Sequence, residues 1–322
     1  MTHYDVFNGD ADGLCALHQL RLAEPRESVL VTGVKRDNAL LARVPAGPGD
    51  SVCALDIALP GNRDALLALL ARGVKVLYVD HHEPGEVPVH ALLEATIDTA
   101  PDVCTSVLVD RRLRGFARRW AVVAAFGDNL APTARALGAA AGADEATLAR
   151  WQALGECLNY NAYGMTEHDL VYTPAALYRA LAPYADPDRF IDGEPHGSRL
   201  DAARREDLAR AHSLSPALDG PGATLRVLPD AAWARRAVGS LANVLASADA
   251  RRAHAVAVAS PGGALLVSVR VPASAPTSAD AFCKAFGGGG RRIAAGIDAL
   301  APARLDELRE ALAREYPAPA PG

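Results

Sequence analysis

The chain reads as an α/β protein: a mostly parallel N-terminal sheet with helices on its faces, then a smaller α/β domain across a cleft. Three observations point there. Short β-branched runs that end in acidic or glycine turns alternate with helical spacing through the first quarter of the chain, the grammar of βαβ units. A length of 322 residues makes two domains at roughly 150 residues each. A stretch rich in Ser, Pro and Gly, Ser213 to Gly222, interrupts the pattern two thirds of the way along.

In order, Tyr4 to Phe7 is the first strand and Gly13 to Leu22 the helix after it. Ser28 to Thr32 and Ser51 to Leu55 follow as strands, then a helix over Arg63 to Ala71 and a strand over Val74 to Val79. Spacing is helical over Asp102 to Leu113 and Gly115 to Phe126, and stays so through Tyr184, with Pro183 and Pro187 as punctuation. Arg199 to Ala211 is a charged connecting helix. Beyond the linker come a strand over Thr224 to Leu228, a helix over Ala234 to Ala246, strands over Ala253 to Val258 and Ala264 to Val271, and the glycine run Gly287 to Gly290. The expected division is 1–195 for the first domain, 196–222 for the connecting helix and linker, and 223–322 for the second.

Composition narrows the function. Lys plus Arg total 33 against 38 Asp plus Glu, a net charge of -5, so bulk charge does not draw the chain to nucleic acid and any polyanion site is local. No apolar run approaches the roughly 20 residues of a membrane span. The polar start, Met1 to Phe7, lacks the blocks of a signal peptide, and the five scattered cysteines form no CxxC pair; both suggest a cytoplasmic protein with buried, reduced thiols.

The acidic residues fall where chemistry collects in a parallel sheet, beyond the carboxyl ends of the strands. Asn8-Gly-Asp-Ala-Asp-Gly13 puts two carboxylates in a glycine-flanked turn after the first strand. Asp10 and Asp12 either face one site together, as i and i+2 side chains do in extended backbone, or cap the next helix. Asp56 ends the apolar strand Ser51 to Leu55, where a lone Asp is often only a cap. Asp80-His81-His82, after Val79, changes that balance: an acid and two imidazoles crowded at a sheet edge are costly unless an ion uses them. Asp128, in Phe-Gly-Asp-Asn, places a negative charge at a helix C-terminus, against the dipole; its plain reading is a helix end with Asn129 in a left-handed turn. Four carboxylates with histidine suit two divalent cations, Mn2+ foremost, with Mg2+ or Co2+ as alternatives. Two such ions clamp an in-line displacement at phosphorus by a bridging hydroxide, which makes phosphoester hydrolysis the expected reaction.

These segments resemble the motifs of the DHH phosphoesterase superfamily, which includes RecJ exonucleases, nano-RNases, cyclic dinucleotide phosphodiesterases and family II pyrophosphatases. Asn8 to Gly13 is similar to its first motif, Asp56 to the second, Asp80-His81-His82 to the third and Gly127-Asp128-Asn129 to the fourth. The resemblance implies that Asp10 and Asp56 hold one metal and that Asp12, Asp56, His81 and Asp128 hold the other. It further implies that His82 faces the phosphate and that Asp80 orients a neighbouring imidazole. The chain departs where it has Val6 in place of a histidine common in relatives, and Asn8 in place of the acid of RecJ-like members; both imply a weaker hold on one metal. Phe286 to Gly296 resembles the glycine-rich motif of the DHH-associated C-terminal domain. That implies a phosphate cradle at Gly288, Gly289 and Gly290, with Arg291 in place of the usual histidine and a following helix start adding its dipole. Arg270 resembles a further substrate-binding arginine of that domain.

The expected substrate is a short oligonucleotide or a nucleotide phosphate; an exopolyphosphatase, a pyrophosphatase, a cyclic dinucleotide phosphodiesterase and a degenerate nucleotide-binding protein are the rivals, and a homodimer stays open. The arginines Arg111, Arg112, Arg114, Arg118 and Arg119 read as solvated or dipole-compensating. Asn159-Tyr-Asn-Ala-Tyr163 is polar and aromatic enough to stack bases, but nothing in the sequence gives it a location.

Overall fold

In a computed structural model, which describes residues 1–318, the chain begins with a doubly wound sheet. Strands β1 (His3–Asn8), β2 (Val29–Gly33), β3 (Ser51–Leu55), β4 (Lys75–Asp80) and β5 (Leu93–Ile97) pair in the order β2-β1-β3-β4-β5, every pair parallel. Helices α1 (Ala11–Ala23) and α2 (Leu59–Ala71) connect them, and α3 (Thr105–Arg112), α4 (Arg118–Gly127), α5 (Ala131–Ala140), α6 (Glu145–Asn161), α7 (Pro174–Leu181), α8 (Pro187–Gly193) and α9 (Pro195–Ser213) follow. Then come β6 (Leu218–Asp219), β7 (Ala223–Leu228), α10 (Ala232–Ala248), β8 (Ala253–Ala259), β9 (Leu265–Arg270), α11 (Ala279–Lys284), β10 (Gly289–Gly290), β11 (Ala294–Leu300) and α12 (Leu305–Glu315).

The first compact unit comprises Met1–Ala162 with Thr166–Ala202. Its sheet is buried on both faces, as a parallel sheet requires. Alternation along β1 sends Tyr4 and Val6 into one core with Leu40, Leu66 and Val76, and Phe7 into the other with Leu14, Leu55 and Trp120. The order places β1 and β3 at the switch point, so the loops after them diverge and leave a crevice at the carboxyl edge.

Buried polar groups stiffen this unit. His18 on α1 donates through Nε2 to the Tyr184 carbonyl at 2.7 Å and packs edge-on to Trp120. Burial outweighs that hydrogen bond and pushes its imidazole down to about 4. The folded chain therefore resists a proton that the unfolded chain takes up near 6.5, and stability falls on acidification from 6.5 to about 4, by about 3 kcal/mol from this group. His18→Gln flattens that part of the melting-temperature profile; an unchanged slope refutes the assignment.

The second unit comprises Tyr163–Met165 and the chain from Ala203 onward. Its sheet runs β10-β11-β9-β8-β7-β6, with β7 and β8 parallel and every other pair antiparallel. Two cores cover it, one around Phe282, Phe286 and Leu312, the other around Leu241 and Val258.

Here one expectation fails. The glycine run opens no helix: Gly287, at φ 80, ends α11, and Gly289–Gly290 pair with β11 in a short antiparallel ladder. The glycines answer to backbone crowding, since a Cβ on Gly288 would stand 2.1 Å from the Gly296 carbonyl oxygen. No helix starts directly after this turn, so the dipole expected from a following helix is missing.

All five cysteines are buried and free. Burial pushes the Cys53 and Cys283 thiols up to about 12. Among the described residues no helix is long and apolar enough to cross a membrane.

Candidate metal centre

Asp10 is the N-cap of α1: one carboxylate oxygen accepts from the Asp12 and Gly13 amides at 3.0 and 3.1 Å. Of the two readings of this turn, Asp10 follows the cap, and Asp12 falls in the first helical turn rather than in extended backbone, because the chain bends at Gly9. Gly13 is needed there, since a Cβ would stand 2.2 Å from the Asn8 carbonyl oxygen. Gly13→Ala should cost about 1–3 kcal/mol in a thermal melt, and a variant as stable as wild type would show that the turn yields.

Asp12, one residue into α1, reaches α3. Its two oxygens accept from the Thr105 and Ser106 amides, both at 2.7 Å, and the Ser106 hydroxyl donates to the Asp12 carbonyl at 2.8 Å. Asp56 follows β3 in left-handed backbone, φ 58, which turns its carboxylate to the sheet edge; the Thr105 hydroxyl donates to it at 3.3 Å. Asp128 is the C-cap of α4, and Asn129 beyond it takes φ 62, so the helix-end reading holds alongside any role in the site.

His81 sits at the centre. Its Nδ1 meets the Val103 carbonyl at 3.1 Å, so that nitrogen donates and Nε2 is turned to the site. That Nε2 lies 3.5 Å from Asp56 Oδ1, 3.8 Å from Asp128 Oδ2 and 3.9 Å from Asp12 Oδ2. These separations are long for hydrogen bonds but match ligands about 2.1 Å from one shared ion, which stand about 3–4 Å apart. The donor set fits a hard divalent cation. His82 stacks at a tilt against His81, and its Nδ1 meets Asp80 Oδ1 at 2.8 Å, while Asp80 Oδ2 is buried without a hydrogen bond. The Asp80 bond, working against burial, raises the His82 imidazole above its ordinary value.

The electrostatics are those of crowded carboxylates. Burial, then the charges of Asp10, Asp12, Asp80 and Asp128, push Asp56 well above the usual carboxylate range. Burial and Asp12 push Asp128 up to about 6, with Lys35 opposing. Burial opposes ionisation of Asp10 too, but there Lys35 wins and holds it low.

Sequence reasoning does not find Lys35, and it gives Asn159 no place. The Lys35 ammonium is ion-paired with Asp10, lies 3.7 Å from Asp128 Oδ1 and donates to Asn159 Oδ1 at 3.3 Å. Asn8 accepts from the Asp10 amide at 3.1 Å and donates to the Lys35 carbonyl at 3.1 Å, so it ties β1 to the loop after β2. Charge accounting is the signal that could have found Lys35, since packed carboxylates need a nearby cation.

The second unit holds the remaining candidates. Arg270 donates to Asn243 Oδ1 at 2.7 Å and to the Val269 carbonyl at 3.0 Å. The Gly288 amide donates to the Cys283 carbonyl and the Gly290 amide to Asp280, and Gly289 lies between them. A carboxylate thus already meets one of the N–H groups expected to cradle phosphate. Arg291 is exposed, and its guanidinium makes no hydrogen bond or ion pair among the described residues. Of the arginine cluster, Arg111, Arg112, Arg118 and Arg119 pair with Asp98, Glu94, Asp110 and Asp186.

No protein-family model matches the chain, and no curated protein does either. Solved structures do. An exonuclease RecJ bound to manganese superposes with a TM-score of 0.65 at 19% identity, over 98% of this chain and 91% of that one. RecJ from Thermus thermophilus in complex with Mn2+ gives 0.59 at 20%, over 99% of this chain and 53% of that one. The pGpG-specific phosphodiesterase PggH from Vibrio gives 0.54 at 14%, over 98% of each chain. The chain has the fold of RecJ and the DHH-domain proteins, whose motifs its own residues resemble.

Proposed function

We propose that the chain is a metal-dependent phosphodiesterase, with Mn2+ as its resident ion, that hydrolyses short oligonucleotides or nucleotide phosphates. The observation that carries this reading is His81 Nε2, turned by the Val103 carbonyl toward three carboxylates at 3.5–3.9 Å, too far for good hydrogen bonds and near enough to share an ion. Asp12, Asp56, His81 and Asp128 would hold the ion. A divalent ion held there supplies a Lewis acid to phosphoryl oxygens and acidifies water.

The chain's own residues do the rest. Asp80 holds the His82 ring by Nδ1, which leaves its half-exposed Nε2 edge to meet a phosphate oxygen. Arg270 and Arg291 are the proposed phosphate contacts of the second unit, since the Gly288 and Gly290 amides are already taken by the Cys283 carbonyl and by Asp280. A short substrate is supported by the net charge of -5, which disfavours long polyanions, and by the extent of likeness to PggH, whose name specifies pGpG.

The test is hydrolysis with Mn2+ of dinucleotides, pAp, cyclic dinucleotides, single-stranded DNA and polyphosphate, with Asp56→Ala as control. Cleavage of dinucleotides or pAp, lost in the variant, is expected. Cleavage confined to polyphosphate or pyrophosphate would replace this reading with a polyphosphatase. Binding without cleavage of any compound would leave a nucleotide-binding protein.

A further inference from the structure

We propose that Lys35 takes the place of the second metal ion, so that this centre holds one divalent cation and one fixed ammonium. The proposal rests on the metal reading above and revises the two-ion count that the sequence motifs imply.

The two halves of the site differ in what their donors are doing. Around His81, the facing atoms of Asp12, His81 and Asp128 lie within 4.8 Å of one another. Asp10 Oδ1 accepts from two backbone amides, and Oδ2 is paired with the Lys35 ammonium. Asp12 too accepts from two backbone amides, so what sets the Asp10 side apart is the cation already in place there. Asn8 turns its carbonyl oxygen to the Asp10 amide and its nitrogen to the Lys35 carbonyl. Val6 offers nothing: it is fully buried among Tyr4, Leu40 and Ala54 in the apolar core. An ion seated between Asp10 and Asp56 would have an ammonium within ligand range at Asp10, while the donors grouped with Asp56 are the imidazoles of His81 and His82.

The lysine is also built in. Its backbone amide donates to the Ala162 carbonyl at 3.0 Å, its carbonyl accepts from Asn8, and Asn159 takes a hydrogen from Nζ at 3.3 Å. Held this way, the ammonium spans Asp10 and Asp128, which a second ion would otherwise neutralise. It brings a positive charge to a substrate phosphate without acidifying water, so Lys35 is a positioning and charge-compensating residue.

Counting ions tests this. The full chain is stripped with EDTA and dialysed against Mn2+; bound metal is then measured by elemental analysis and by electron paramagnetic resonance. Wild type should bind one Mn2+ with the spectrum of an isolated ion. Lys35→Ala should bind two, with the attenuated spectrum of a coupled pair, and Lys35→Arg should return to one; Lys35→Gln gives a second neutral variant should Lys35→Ala fold poorly by circular dichroism. Two ions in wild type, or one in both neutral variants, overturns the role of Lys35 and leaves the metal reading standing. No ion in wild type overturns the metal reading itself.

Discussion

Asp56→Asn should hydrolyse substrate at least ~10³-fold more slowly than wild type, yet melt at a higher temperature once metal is removed. The loss of activity follows from its place at 3.5 Å from His81 Nε2, where it is the carboxylate nearest the imidazole. The gain in stability follows from its surroundings. Asp56 is 2% exposed and crowded by Asp10, Asp12, Asp80 and Asp128, so burial and like charge disfavour its ionised form. An acid whose folded value lies above its unfolded value of 3.8 loses stability as pH rises through the interval between them, and near neutral pH that penalty is present. Asparagine removes it and tolerates the left-handed backbone at φ 58 at least as well. In EDTA the variant should melt several degrees above wild type. Adding Mn2+ should raise the wild-type transition by mass action, about 2.7 kcal/mol at a hundredfold excess over Kd, and leave the variant where it was. A variant that melts below wild type in EDTA, or keeps its activity, contradicts this account.

Why Asp56 can be picked out from the sequence, and Lys35 cannot, has a physical basis. Asp56, Asp80 and Asp10 each come directly or almost directly after an apolar strand run, so a polar residue there marks the sheet edge without any tertiary knowledge. Lys35 also follows a strand, β2, but in a polar stretch, Lys-Arg-Asp-Asn, where one more cation carries no pattern. Only the fold sets its ammonium against Asp10 and brings Asn159, from the far end of α6, to the same point. Strand β5 escapes sequence reading for a related reason. It lies at the edge of its sheet, and Leu93–Ile97 is half-exposed, with Glu94 and Ala95 open to solvent, so it lacks the continuous apolar run that marks β3 and β4. At the other end of the chain, the glycines before Ala294-Ala-Gly296 suggest a loop opening a helix; small residues there instead permit the close approach of β10 and β11, a demand of the ladder that no local pattern announces.

Asp12→Ala should lose activity as completely as Asp56→Asn while moving stability the other way, by about 2–4 kcal/mol downward in EDTA. The difference lies in what each carboxylate does when no ion is present. Asp56 has no structural duty that asparagine cannot take over, whereas Asp12 serves α3. That helix starts after Cys104, which gives it no side-chain cap, and the first two helical amides, those of Thr105 and Ser106, are satisfied by the two oxygens of Asp12 at 2.7 Å each. All three residues are buried. Alanine therefore strands two N–H groups away from water and removes the negative charge that complements the α3 dipole. Asp12→Asn keeps one acceptor and should fall between. Melts in EDTA should rank Asp56→Asn above wild type, wild type above Asp12→Asn, and Asp12→Ala last. If Asp12→Ala matches wild type, α3 does not depend on this carboxylate, and the coupling between the metal centre and the α1–α3 packing disappears with it.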